Sequence, residues 1–146
     1  MDKDLLNRTD HQGAKGPVFI GEDKLLVYER DRRTRYYPGY LDFPGGGKDK
    51  SETVYETFKR EVDEEFGLAI STSDIRFVKQ YPSTRYPGKL AYFVVAVLPE
   101  SVAKTLKFSH EGLNHQIMDV TDFLSSPKAI PFLKERTEFF LKTVGL

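Results

Sequence analysis

The stretch that most limits how this chain can fold runs over residues 46–68, GGKDKSETVYETFKREVDEEFGL. It opens on a glycine turn that follows Pro44 and the short β-prone run YLDF at 40–43. The rest has helical spacing. Tyr55, Phe58, Val62 and Phe66 recur every three or four residues and form one apolar stripe. Thr53 suits an N-cap, Glu56 three residues on completes a capping box, and Gly67 suits the C-terminal stop. The spacing predicts a helix over 53–66 that lays one face on a core and hangs from a strand by a glycine turn.

The same helix carries an excess of acid. Glutamates stand at 52, 56, 61, 64 and 65, with Asp63 among them. Glu61 shares a face with Glu64 and Glu65, at about 5–6 Å between Cβ atoms. Like charges at that spacing oppose an isolated helix by a few tenths of a kcal/mol per pair. Arg60 offsets only part of this. A hard divalent cation with oxygen ligands offsets more, and Mg²⁺ takes carboxylates together with phosphate oxygens. A solvated acidic face is the ordinary reading of such a run, but here the acids flank a buried stripe just after a glycine turn.

The flanking segments alternate. Strands are predicted over 17–20, 24–30, 40–43, 75–81, 90–98 and 115–120, with a loop over 31–39. The run LAYFVVAVL at 90–98 is almost wholly apolar, as a strand buried on both faces should be. A terminal amphipathic helix is predicted over 130–144, with Pro131 in its first turn. A breaker is expected at 44–47, and residues 1–16 read as a polar arm. Interleaved strands and helices give an α/β class, with helices packed on a mixed sheet. The length of 146 residues suits a single domain over 1–146.

Composition narrows the chemistry. Basic and acidic side chains number 22 each, so global charge gives no argument for a nucleic-acid partner or an anionic membrane, and neither is expected. There is no cysteine, which excludes disulfides, thiolate metal sites and a cysteine nucleophile. No apolar run is long enough to cross a bilayer, and the N-terminus lacks the apolar centre of a signal peptide. A cytoplasmic location is the expectation.

These residues carry a family resemblance. The pattern G-x5-E-x7-R-E-U-x-E-E-x-G-U, with U aliphatic, is met at Gly46, Glu52, Arg60, Glu61, Val62, Glu64, Glu65, Gly67 and Leu68. Chance agreement is on the order of one in a billion per window. The segment resembles the box of the Nudix hydrolases, the MutT-like pyrophosphohydrolases. That resemblance implies an α/β/α sandwich, a mixed β-sheet flanked by helices with a loop-helix-loop metal site. It implies Mg²⁺ or Mn²⁺ bound by Glu61, Glu64 and Glu65 with the Gly46 carbonyl. Arg60 would orient the glutamates, Glu52 would be structural, and Glu111 would be an additional acid for metal or water. Arg30 resembles a phosphate-binding arginine of some members. Arg35 and Tyr40, in the same basic and aromatic segment, are expected to contact substrate. His110 and His115 are lesser candidates.

The implied reaction is cleavage of the pyrophosphate linkage of a nucleoside diphosphate joined to another moiety, such as a nucleoside triphosphate, nucleotide sugar or dinucleotide, by an activated water. A homodimer is an assembly the resemblance allows. The rival reading is a non-catalytic domain that binds nucleotides as a sensor. Such domains usually lose box glutamates, and all are present here. Substrate choice is expected to rest on 30–40, 81–86 and Glu111.

Overall fold

The computed structural model describes residues 3–106 and 115–146. Eight strands build the sheet: β1 His11–Lys15, β2 Val18–Ile20, β3 Lys24–Glu29, β4 Leu41–Asp42, β5 Gly45–Gly47, β6 Ile75–Pro82, β7 Leu90–Leu98 and β8 Gln116–Asp119. Three α-helices accompany them: α1 Val54–Phe66, α2 Val120–Ser125 and α3 Pro131–Thr143. Short 3-10 turns lie at Lys3–Asn7, Thr72–Asp74 and Glu100–Thr105.

The apolar run β7 is the organising strand. Along one edge it pairs in parallel with β1 and, further along, with β2; along the other it pairs antiparallel with β6. Beyond β2 the sheet continues through β3, which pairs antiparallel with β4 and β8. Alternate residues of these strands face opposite layers. On one face Val18, Ile20, Leu26, Tyr92, Val94 and Ala96 pack against Val54, Phe58, Val62 and Phe66 of α1. On the other, Phe19, Leu25, Val27, Phe93 and Val95 pack against Phe123 of α2 and Leu133 and Phe140 of α3. The expected α/β/α sandwich is therefore observed. Each fully buried phenylalanine contributes roughly 1.5–3 kcal/mol of apolar transfer.

Helix α1 starts and stops as its sequence predicts. The Thr53 hydroxyl accepts the Glu56 N–H and the Glu56 carboxylate accepts the Thr53 N–H. Gly67 closes it at φ 66°, donating to the Asp63 carbonyl. Its stripe differs in one position. Val54 and Thr57 are buried with Phe58, Val62 and Phe66, whereas Tyr55 lies at the margin and donates to the Ile70 carbonyl.

Three expectations are corrected. Residues 1–16 are not wholly a polar arm: His11–Lys15 form an interior strand, and Leu6 is buried against the core. The sequence HQGAK hides this because its partners satisfy the backbone while only His11 and Ala14 are buried. The glycines after Pro44 do not merely break the chain: Gly45–Gly47 pair antiparallel with β1. Gly45 sits at φ 136°, where a Cβ would lie 2.4 Å from the Lys15 Cα. Only glycine allows that approach. The segment after β8 also turns straight into the short helix α2, which the strand predicted over 115–120 did not anticipate.

Candidate active site

Strand β5 presses the chain against α1. A Cβ built on Gly46 would fall 2.8 Å from the carboxyl carbon of Glu61. Gly46 backbone and Glu61 carboxylate therefore share one space that any side chain would fill. One residue earlier, the Gly45 N–H donates to Glu65 at 2.9 Å. Glu65 lies largely beneath the surface. Burial pushes its carboxyl up to about 8, with Glu61 and Asp42 adding like charge and the Gly45 N–H and Lys15 opposing. Glu64 points outward, its side chain 59% exposed.

Arg60 ties the acids together. Its guanidinium donates to both Glu52 oxygens, at 2.7 and 3.0 Å, to Glu61 at 3.0 Å and to the Gly47 carbonyl at 3.0 Å, with a longer contact to Glu64 at 3.3 Å. This fork holds the Glu52 carboxyl down at about 2, helped by the Asp49 N–H and the Thr57 hydroxyl. Arg60 thus pairs with Glu52 and Glu61 at once. Behind Glu52 the buried Thr57 hydroxyl donates to it and meets His11 Nε2 at 2.9 Å. Since Thr57 spends its proton on Glu52, His11 donates from Nε2, which leaves its buried Nδ1 as an acceptor.

The donors suit a hard divalent cation. Three carboxylates and a glycine carbonyl are all oxygen ligands. A buried carboxyl whose proton affinity reaches neutral pH lacks a positive neighbour of sufficient strength. Among the described residues no three acidic or histidine side chains converge as they stand. The cause is visible in Arg60, which engages Glu61 and Glu64, while Glu65 turns to Gly45. Glu111 and His110 lie outside the described residues.

Next to Gly46 and Gly47 opens a cleft of about 210 Å³. Its floor is the charged group around Asp42. This wholly buried carboxylate accepts from Lys15 at 2.6 Å, Arg30 at 2.8 Å and Tyr28 at 3.0 Å. Burial alone would raise its pKa, but Lys15 and Arg30 outweigh burial and hold it below the ordinary value. Arg30 also donates to the Tyr36 carbonyl at 2.7 Å. The loop after β6 supplies Ser83 to Tyr86, and α3 supplies Phe132 and Arg136.

The structure brings Arg30 to this cleft with Gly46. Arg35 is exposed and Tyr40 packs on Tyr37, so neither lines it. His115 stacks on Tyr28 and meets the edge of Phe66 instead. Sequence reasoning missed Lys15, Asp42, Arg85 and Arg136. Asp42 had a signal, an acid inside the apolar run YLDF; Arg136 had another, a cation beside the buried stripe of α3.

The sequence matches the NUDIX domain family model over residues 10–139. The chain belongs to the Nudix family. Comparison with curated proteins finds no match. Among solved structures, it resembles a MutT protein from Methanosarcina mazei Go1 at 21% identity and TM-score 0.67, covering 89% of this chain and 91% of that one. It also resembles an Ap4A hydrolase from C. elegans at 18% identity and TM-score 0.62, covering 89% and 98%. A bifunctional NMN adenylyltransferase/ADP ribose pyrophosphatase from Francisella tularensis, complexed with AMP and a manganese ion, matches at 14% identity and TM-score 0.65, covering 89% of this chain and 40% of that one. At these identities the likeness is one of fold.

Proposed function

We propose that the protein is a Mg²⁺- or Mn²⁺-dependent pyrophosphohydrolase that cleaves the diphosphate linkage of a small nucleotide in the cytoplasm. One observation supports this reading: a Cβ at Gly46 would fall against the Glu61 carboxylate, and Gly46 also lines the cleft that holds Lys15 and Arg30, so the acids of α1 and the cations of the cleft flank one backbone. Glu61, Glu64 and Glu65, with the Gly46 carbonyl, would hold the metal. When bound, it would screen phosphate charge and acidify a water. Arg60 fixes the Glu61 rotamer by its fork to Glu52. Lys15 and Arg30, held by Asp42, offer cations to the phosphates at the floor. The water's proton goes to one of the α1 carboxylates or to Glu111. With no cysteine in the chain, direct attack by water is the simpler route.

The names of the structural neighbours, which include Ap4A hydrolase and ADP compounds hydrolase, agree with a nucleotide substrate. Retention of every box glutamate favours an enzyme over a binding module. Purified protein incubated with Mg²⁺ and a panel of nucleoside triphosphates, dinucleotides and nucleotide sugars should release phosphate or pyrophosphate from at least one. Glu64→Gln should abolish that release. Metal-dependent binding without turnover of any member would favour the sensor reading.

A further inference from the structure

The cleft holds more positive charge than its floor uses. Lys15, Arg30, Arg85 and Arg136 line it, against one acid, Asp42, among the described residues. The chain as a whole has no net charge, so the surplus is local. Asp42 partners Lys15 and Arg30. Among the described residues, Arg85 and Arg136 have no carboxylate within ion-pair distance and no hydrogen-bond acceptor for their guanidiniums.

Arg136 is the more telling of the two. It is half-buried in the wall formed by α3. Its guanidinium carbon lies 4.0 Å from the centre of the Tyr81 ring and 4.7 Å from that of Phe132. The two rings pack against the group, while its N–H groups have no protein acceptor among the described residues. Burial pulls its pKa below the usual arginine value. A desolvated cation with unmet donors is unfavourable unless an anion meets it. Arg85, on the loop after β6, lines the same cleft, its guanidinium carbon 5.4 Å from the centre of the Tyr36 ring and 5.3 Å from that of Tyr86. Arg30 also approaches Tyr36, at 5.8 Å, so two guanidiniums crowd one ring. The Tyr36 hydroxyl bonds the Thr84 hydroxyl, which ties the Tyr36 loop to the Arg85 loop.

We propose that the cleft takes a substrate whose phosphate chain extends beyond one diphosphate, with Arg136 and Arg85 binding the distal phosphate oxygens. A nucleoside triphosphate and a dinucleoside polyphosphate share this chemistry. A nucleotide sugar, whose distal half is uncharged, leaves both arginines unmet. Hydrolysis of such a substrate rests on the pyrophosphohydrolase reading; the anion site does not.

Calorimetry on metal-free protein separates the two. Inorganic tripolyphosphate and pyrophosphate are titrated into the parent, Arg136→Met and Arg85→Ala; Arg136→Met keeps an apolar contact with Tyr81 and Phe132, and Arg85 is exposed. Tripolyphosphate should bind each variant about tenfold more weakly, the loss expected for a charge-assisted contact, with a smaller loss for pyrophosphate. Equal losses for the two anions, or no loss in either variant, would overturn the proposal. With Mg²⁺, the kcat/KM ratio of dinucleoside tetraphosphate or nucleoside triphosphate over ADP-ribose should fall about tenfold in both variants, chiefly through KM; an unchanged ratio would overturn it. Preference between the two polyphosphates identifies the source. Absence of all turnover would sink the hydrolase reading alone, and the calorimetry would still decide the anion site.

Discussion

Replacing Asp42 by asparagine tests the floor of the cleft most severely. The carboxylate is fully buried and serves Lys15, Arg30 and Tyr28 through one oxygen, while the other accepts the Phe43 N–H at 2.8 Å. Asparagine keeps the shape but removes the charge and turns one acceptor into a donor facing N–H groups. Lys15 and Arg30, with side chains 25% and 16% exposed, would then lack their counter-ion. Breaking a buried pair by removing one partner costs about 3–5 kcal/mol. Because both cations keep some contact with water, the lower end applies, about 3 kcal/mol. In a domain of this size that lowers Tm by roughly 10 °C. Urea unfolding at pH 7, followed by circular dichroism, measures it with an unchanged slope. Asp42 has a lowered folded pKa, so its contribution is complete above the unfolded value of 3.8 and is lost as pH falls through the folded value. The difference between parent and variant should therefore shrink in acid. A loss below about 1 kcal/mol at pH 7, or one that grows as pH falls, would refute the reasoning.

Other expectations follow from single contacts. Glu65→Gln should show the opposite pH dependence in chelator-treated protein. The folded pKa of about 8 lies above the ordinary 4.5, so parent stability is complete below 4.5 and is lost as pH rises towards 8. The variant should gain on the parent by about 3–4 kcal/mol between pH 4 and pH 8, read by denaturant midpoints; a constant difference would contradict the burial argument. Thr57→Val removes a buried hydroxyl between His11 and Glu52 and should cost about 1–3 kcal/mol in the same assay, whereas a neutral result would dismiss that hydrogen-bond chain. Gly46→Ala would drive a Cβ to 2.8 Å from the Glu61 carboxyl carbon. Glu61 must move, so the Mg²⁺ concentration for half-maximal rate should rise at least about tenfold, on the order of 1.4 kcal/mol. An unchanged metal requirement would show that Gly46 and Glu61 do not share the metal position.

Much of this was legible in the chain. The capping box, apolar stripe and glycine stop of α1 are local signals, and local geometry obeys them. The apolar run 90–98 announced a buried strand because both of its faces meet helices. What escaped depends on distant partners. Nothing within HQGAK predicts a strand, since β7 and β5 supply its pairing. The triple glycine looked like a breaker because its strand geometry is imposed by β1. Within the site, the glutamate spacing was fixed by helix periodicity, but Lys15 meets Asp42 across 27 residues of sequence. Arg136 reaches the cleft only because α3 crosses the face opposite α1. Pairings of that kind leave no periodic trace.

The central claim is that α1 holds the metal on which hydrolysis depends. Initial rates at saturating nucleotide, measured against Mg²⁺ concentration for the parent and Glu61→Gln, test it most directly. The account predicts no turnover by the parent in chelator, a saturable rise with Mg²⁺, and a rate at least about a hundredfold lower in the variant at equal metal, on the order of 2.7 kcal/mol of lost barrier reduction. Turnover by the parent without metal, or a variant curve that overlays the parent's, would contradict it.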